Sequence, residues 1–148
     1  MIAMNFLIGL PAMLVCLILQ ATTAFWCLRY YVRHLPHVGS GEGFLAGIRP
    51  LVVATLAMMV GTMVQVILWG GLFLWLGEFE HVYDAVYHSA VNFSSLGYGD
   101  IVMSRERRIL GPLEAVNGVL MLGMSAATLT AILQQMVHLL REGLVERP

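Results

Sequence analysis

The chain has 148 residues, 59% of them hydrophobic and 11% charged, with a mean hydropathy of +0.80. Soluble domains carry about 25% charged residues, so this composition excludes an ordinary soluble domain and places the chain in a membrane. Its basic residues are all arginine and are nearly matched by acids, for a net charge of −1, which excludes the basic footprint of a nucleic-acid-binding protein.

The first apolar stretch runs from about Asn5 to Leu28, long enough at 1.5 Å per residue to cross a hydrocarbon core of about 30 Å. No cationic segment precedes it, and its apolar character outlasts the core of a signal peptide, so residues 1–30 read as a retained span. Arg29, Tyr30, Tyr31 and Arg33 mark its exit from the bilayer. Cys16 and Cys27 both fall within it and read as small lipid- or helix-facing residues rather than metal ligands. Residues 31–49, with Pro36, Gly39, Gly41, Gly43 and Gly47, read as a polar cytoplasmic linker. There His34 and His37 flank Pro36 and read as solvated loop residues.

The second span, residues 50–76, opens on Pro50, which suits a helix's first turn, and ends in a Trp69 to Trp75 region suited to the opposite interface. The third, residues 111–140, opens on Gly111-Pro112 and ends before Arg141, leaving 142–148 as a tail. Between them, residues 82–94 are apolar but too short to cross, the length of a re-entrant helix. That helix runs directly into Gly97-Tyr98-Gly99-Asp100. Non-helical backbone at membrane depth is tolerated only where protein shields it or where it lines a water-filled path. The expected fold is therefore an all-α membrane protein with three transmembrane helices, a re-entrant helix and a pore loop, and a pore requires several copies of the chain.

Ser95-Leu96-Gly97-Tyr98-Gly99-Asp100 resembles the potassium channel signature, whose commonest form is Thr-Val-Gly-Tyr-Gly-Asp. The surroundings resemble that family as well: an outer helix (50–76), a pore helix (82–94) ending in Asn92-Phe93-Ser94, the filter (95–100), and an inner helix (111–140) opening on Gly111-Pro112-Leu113-Glu114. The resemblance covers residues 50–141 and leaves the first span as an addition. It implies a homotetramer, embedded in membrane lipids, that conducts K+ passively. The ion sites would be built from Ser95, Leu96, Gly97, Tyr98 and Gly99, with the carbonyls of Ser95, Leu96, Gly97 and Tyr98 as the ligands. The Ser95 hydroxyl would close the innermost site, and the Leu96 and Tyr98 side chains would point away from the ions. The chemistry agrees, since a dehydrated K+ needs oxygens in place of its water, and backbone with φ > 0 at alternate residues suits Gly97 and Gly99.

Four positions depart from the pattern. Serine stands at 95 and leucine at 96, in place of threonine and valine. Val91 stands where several relatives carry a glutamate paired with the motif aspartate. Tyr87 or His88 stands where relatives often carry tryptophan, and either is placed to support Asp100 by a hydrogen bond. These departures leave a weakly selective cation channel, or a non-conducting channel-like subunit, as alternatives.

Gly118 and Gly123 are candidates for a gating hinge, by the resemblance, or for close helix contacts. Glu114, an acid within a span, is a functional candidate or a partner of the helix dipole able to reach the interface. Ser125, Thr128, Thr130 and Gln134 are candidates to line an inner cavity. His81 and His88 lie where acid would reach them at the outer mouth. The chain carries no nucleotide loop, catalytic triad or metal motif, so neither an enzyme nor a small-molecule substrate is expected. A cell (inner) membrane is the expected location, and a modest arginine bias puts the N-terminus outside and the C-terminus in the cytoplasm.

Overall fold

The computed structural model describes residues 2–34 and 44–145. Pro36, His37, Gly39, Gly41, Gly43 and Arg147, expected in the linker and the tail, lie outside the described residues. Four helices follow one another: α1 (Ile2–His34), α2 (Phe44–Trp75), α3 (Val82–Phe93) and α4 (Leu110–Val145). Segments Ile2–His34, Ile48–Trp75 and Leu110–His138 are long and apolar enough to cross a membrane, whereas α3 is not. The architecture is the all-α, three-span arrangement that hydropathy predicts, with no strand among the described residues.

Helices α1 and α4 overrun their expected ends and α2 begins early, while α2 and α3 each stop one residue short of their expected C-terminal ends. Helix α2 begins at Phe44, so Pro50 lies inside it, where the missing N–H forfeits a single i→i−4 bond. Pro11 is carried inside α1 in the same way. Pro112 falls in the first turn of α4, where amide groups have no intrahelical acceptor and the loss costs nothing.

Helix α1 packs on α2 and α4 of its own chain. Its buried residues are Asn5, Gly9, Cys16, Gln20, Cys27 and Tyr31, which recur at the four- and seven-residue steps of a single helical seam. The cysteines thus face neighbouring helices and not lipid. Lipid is as apolar as a leucine side chain, so helices in a bilayer associate through close packing and interhelical hydrogen bonds. The seam supplies both. Asn5 donates to the Glu106 carbonyl at 2.7 Å. Gln20 donates to the Ser125 hydroxyl at 2.7 Å and accepts from the Gln65 amide at 2.7 Å, which links α1, α2 and α4. This polar belt separates two apolar clusters. One gathers Cys16, Val66, Trp69, Phe73, Phe93, Met103, Leu110 and Met121, and the other Cys27, Tyr31, Ala54, Met58 and Ile132.

Helix α3 wedges between α2 and α4. Gly70 receives it on one side, where an added Cβ would stand 3.1 Å from the Val86 Cα. On the other side Gly118 sits against the last residue of α3. A Cβ there would fall 1.9 Å from the Phe93 carbonyl oxygen and 2.7 Å from its carbon. Gly118 is therefore a close-packing contact in this structure, and α4 runs unbroken through both Gly118 and Gly123.

Because the obstacle at Gly118 is backbone, Gly118→Ala forces α3 and α4 apart. It is expected to cost about 3 kcal/mol, the upper end for overpacking, and to appear as a lowered melting midpoint of the detergent-solubilised protein. Gly71, where an added Cβ meets nothing within 4 Å, is the control. Gly71→Ala is expected to leave the midpoint unchanged or raise it by up to about 1 kcal/mol equivalent, the helix-propensity difference.

Candidate functional site

The site begins where α3 stops. Ser94 caps the helix, donating its backbone N–H to the Ala90 carbonyl at 3.1 Å. The Ser95 N–H returns to the Asn92 carbonyl at 2.8 Å and the Leu96 N–H to the Val91 carbonyl at 3.0 Å. This pair of bonds, five-to-two and six-to-one, is a Schellman turn whose left-handed residue is Ser95, with φ of 60°. The Gly97 N–H shares the Val91 carbonyl at 3.3 Å. The amides of four successive residues are thereby drawn back onto the end of α3.

Beyond the turn, left-handed residues alternate with ordinary ones: Ser95 (φ 60°), Gly97 (φ 59°) and Gly99 (φ 69°). In an extended strand successive carbonyls point to opposite sides. Inverting φ at every second residue turns them toward a common side, and glycine adopts that conformation at little steric cost. The carbonyls of Ser95, Leu96, Gly97, Tyr98 and Gly99 accept no hydrogen bond among the described residues. Every residue from Ser94 to Asp100 is exposed on the single chain, Leu96 at 59% and Tyr98 at 66%. A run of bare carbonyls beside apolar spans is what the rule of backbone satisfaction forbids, unless something outside one chain meets them.

The far end of the segment is tied to α3. The Tyr87 hydroxyl donates to Asp100 Oδ2 at 2.7 Å, and Asp100 Oδ1 accepts the Ile101 N–H at 3.0 Å. The Tyr87 bond holds the Asp100 carboxyl below the usual carboxylate range, and the same bond raises the Tyr87 phenol. His88 does not reach Asp100. Its Nδ1 lies 2.9 Å from the Ile101 carbonyl and its Nε2 2.9 Å from Asn92 Nδ2. The carbonyl only accepts and the amide nitrogen only donates, so the ring is the neutral Nδ1–H tautomer. Burial lowers the His88 pKa, with the Ile101 carbonyl and the Asp100 charge acting against it. His81, the residue before α3, makes no capping bond.

On α4 the four hydroxyl and amide candidates part company. Ser125 bonds Gln20 and Thr128 is buried, donating to the Met124 carbonyl at 2.8 Å, so both face the helix bundle and not a cavity. Thr130 and Gln134 are exposed, on a stripe with Val116, Gly123 and Ala127 at the three-, four- and seven-residue steps of one helix face. Glu114, which the sequence lets reach the interface, is instead completely buried against α3. Glu78 clasps the outer connection: its carboxylate accepts from the Ser104 N–H at 2.7 Å and lies 3.4 Å from Arg107 Nε. Glu114 is singled out in the sequence as an acid within a span, Glu78 is not, and the tie of α1 through Gln20 is foreshadowed only by the polar residues interrupting an apolar span. No group of three or more His, Cys, Asp or Glu residues able to hold a metal ion occurs among the described residues.

A family model described as ion channel matches residues 51–135, more than half of the chain, from the early part of α2 to well along α4. Helix α1 lies outside the matched region. No curated protein and no solved structure matches the chain.

Since His88 is bound in its neutral form, its folded-state pKa lies below that of the unfolded chain. Its contribution to stability is complete above about pH 6.5, the unfolded value, and is lost as pH falls through the folded value. The melting midpoint is expected to be flat from neutral pH upward and to drop on acidification below that point. In His88→Gln, whose amide keeps one donor and one acceptor, that drop is expected to be smaller; an identical acid profile would refute the assignment.

Proposed function

The chain belongs to the ion channel family, and from that premise we propose that it is one subunit of a homotetrameric, potassium-selective channel. In this reading the carbonyls of Ser95, Leu96, Gly97 and Tyr98, with Gly99 completing the segment, replace the hydration shell of K+. Four copies around an axis supply stacked cages of oxygens. The observation that carries the proposal is the alternating left-handed backbone at Ser95, Gly97 and Gly99 together with the unpaired carbonyls between them.

The same arrangement gives the exposed residues an occupant. Leu96 and Tyr98, unpacked on one chain, would be covered by the neighbouring subunit. The stripe of Gly123, Ala127, Thr130 and Gln134 would face an inner aqueous cavity, neutral along its length. Asp100 and Tyr87 would stand at the outer mouth. The N-terminal end of α1, bonded through Asn5 to the loop at Glu106, would share that side, which the arginine bias assigns to the exterior of a cell (inner) membrane. The C-terminal end of α3, with its partial negative charge, would favour any cation nearby.

One observation favours a weaker selectivity. The Asp100 carboxylate is held to α3 by a single phenol on an exposed edge, so that side chain has one tether to the helix.

Purified protein in planar bilayers is expected to give a reversal potential that follows the K+ gradient and moves little when Na+ replaces the opposing cation. Equal permeability of the two ions would exclude the potassium-selective reading in favour of a general cation channel, and absence of current would exclude conduction. Tyr87→Phe removes the tether without altering shape. It is expected to lower the ratio of K+ to Na+ permeability while lowering the melting midpoint by no more than about 1.5 kcal/mol equivalent, the net contribution of one hydrogen bond.

A further inference from the structure

Behind α3, on the side away from the Gly-Tyr-Gly segment, the four helices enclose polar side chains. Ser89, Glu114, Asn117 and Trp69 are each at most 1% exposed. Ser89 does not bond back to its own helix. Its Oγ lies 2.8 Å from the Val66 carbonyl oxygen on α2 and 2.5 Å from Glu114 Oε1 on α4. Both are oxygen-to-oxygen distances of hydrogen bonds, and each needs its own proton. The serine hydroxyl carries one, and the Val66 carbonyl carries none. The second therefore resides on Glu114, because a carboxyl oxygen donates only when it is the neutral acid.

The surroundings agree with the proton count. Among the described residues the ion pair is Arg107 with Glu78, in the outer connection, and no cation accompanies Glu114. The second carboxyl oxygen, Oε2, makes no hydrogen bond of good geometry, since the neighbouring Asn92 amide is engaged with His88 Nε2. An unpaired carboxylate in such a place carries a heavy desolvation cost, whereas a neutral acid with a free carbonyl oxygen carries a far smaller one.

We infer that Glu114 is a protonated carboxylic acid that donates to Ser89, which donates on to the Val66 carbonyl, and that this relay is the positioning element of the filter. The inference rests on the channel reading above for its consequence, though not for its chemistry. Residues 89 and 93 lie one turn apart on α3, and residues 114 and 118 one turn apart on α4. Glu114 meets Ser89, and Gly118 meets Phe93. These two rungs fix how far α3 stands from the inner helix and how it is rotated. The Schellman turn transmits that placement directly to Ser95, Leu96 and Gly97, whose amides hang from Val91 and Asn92. A glutamate of the inner helix thus supports the pore helix from behind, where Val91 of the pore helix offers no polar group.

Two measurements on the purified full chain test it. Infrared difference spectra of native protein against Glu114→Gln at neutral pH are expected to contain the stretch of a protonated carboxyl, shifted in Ser89→Ala where the acid loses its acceptor. A difference confined to carboxylate bands overturns the inference, whether or not the protein conducts, so this arm stands if the channel reading fails. In bilayers, Glu114→Gln, whose amide still donates to Ser89, is expected to keep the native ratio of K+ to Na+ permeability. Glu114→Leu and Ser89→Ala are expected to reduce that ratio several-fold. Ser89→Ala, the smaller change, carries this arm if Glu114→Leu does not assemble; a native ratio in Ser89→Ala overturns the positioning role.

Discussion

A peptide carbonyl at membrane depth has no water to bond, and each one left bare costs several kcal/mol. The whole chain is organised around this constraint. Three spans satisfy it internally as helices, and α3 does so over most of its length. At the end of α3 the chain breaks the rule in a single stretch, having spent the amides of Ser94 to Gly97 on the helix's last carbonyls. What remains from Ser95 to Gly97 is a ribbon with donors consumed and acceptors free. Such a ribbon suits a cation, and it repels anything that must accept a hydrogen bond.

A ribbon of this kind has little rigidity of its own, so its placement is borrowed. It hangs from α3 at one end through the Schellman turn and at the other through Tyr87, His88 and Asn92. Helix α3 is in turn held by contacts specific to small or polar residues: Gly70 on α2, Gly118 and Glu114 on α4. Helix α1 completes the hierarchy. Through Gln20 it ties α2 to α4 within one chain, so the two walls that grip α3 are themselves cross-linked. This gives the span that lies outside the matched region a mechanical role inside its own chain, without requiring any contact to a second subunit.

Much of this was legible in the sequence, and the reason is physical. Three spans and a sub-spanning helix follow from apolar length, which the bilayer imposes rigidly. The glycines of the segment follow from the backbone angles they permit, and the structure has φ > 0 at both. Long-range polar pairing was not legible. Glu114 and Ser89 are 25 residues apart in sequence, and Gln20 and Ser125 are separated by 105, so no local pattern announces them. The seam of α1 offered a signal that hydropathy averages away: Asn5, Gly9, Cys16, Gln20 and Cys27, small or polar residues in a long apolar run, recur on one face. Helix ends were misplaced for a simpler reason, since a proline read as a start signal is tolerated inside α2 once the helix has begun at Phe44.

Ser95 joins these strands of the argument. A non-glycine residue in the left-handed region costs about 1–2 kcal/mol, and a β-branched residue fares worse there because its second branch meets the backbone. The Schellman turn requires that conformation at position 95 in this chain. Glycine would relieve the strain and remove the hydroxyl; threonine would keep the hydroxyl and add to the strain. Serine retains an oxygen at the inner end of the ribbon while tolerating the turn that strips the following amides from the path. The serine that departs from the family pattern in sequence is therefore, in three dimensions, the residue that lets a tight helix cap and a hydroxyl-bearing side chain occupy the same position.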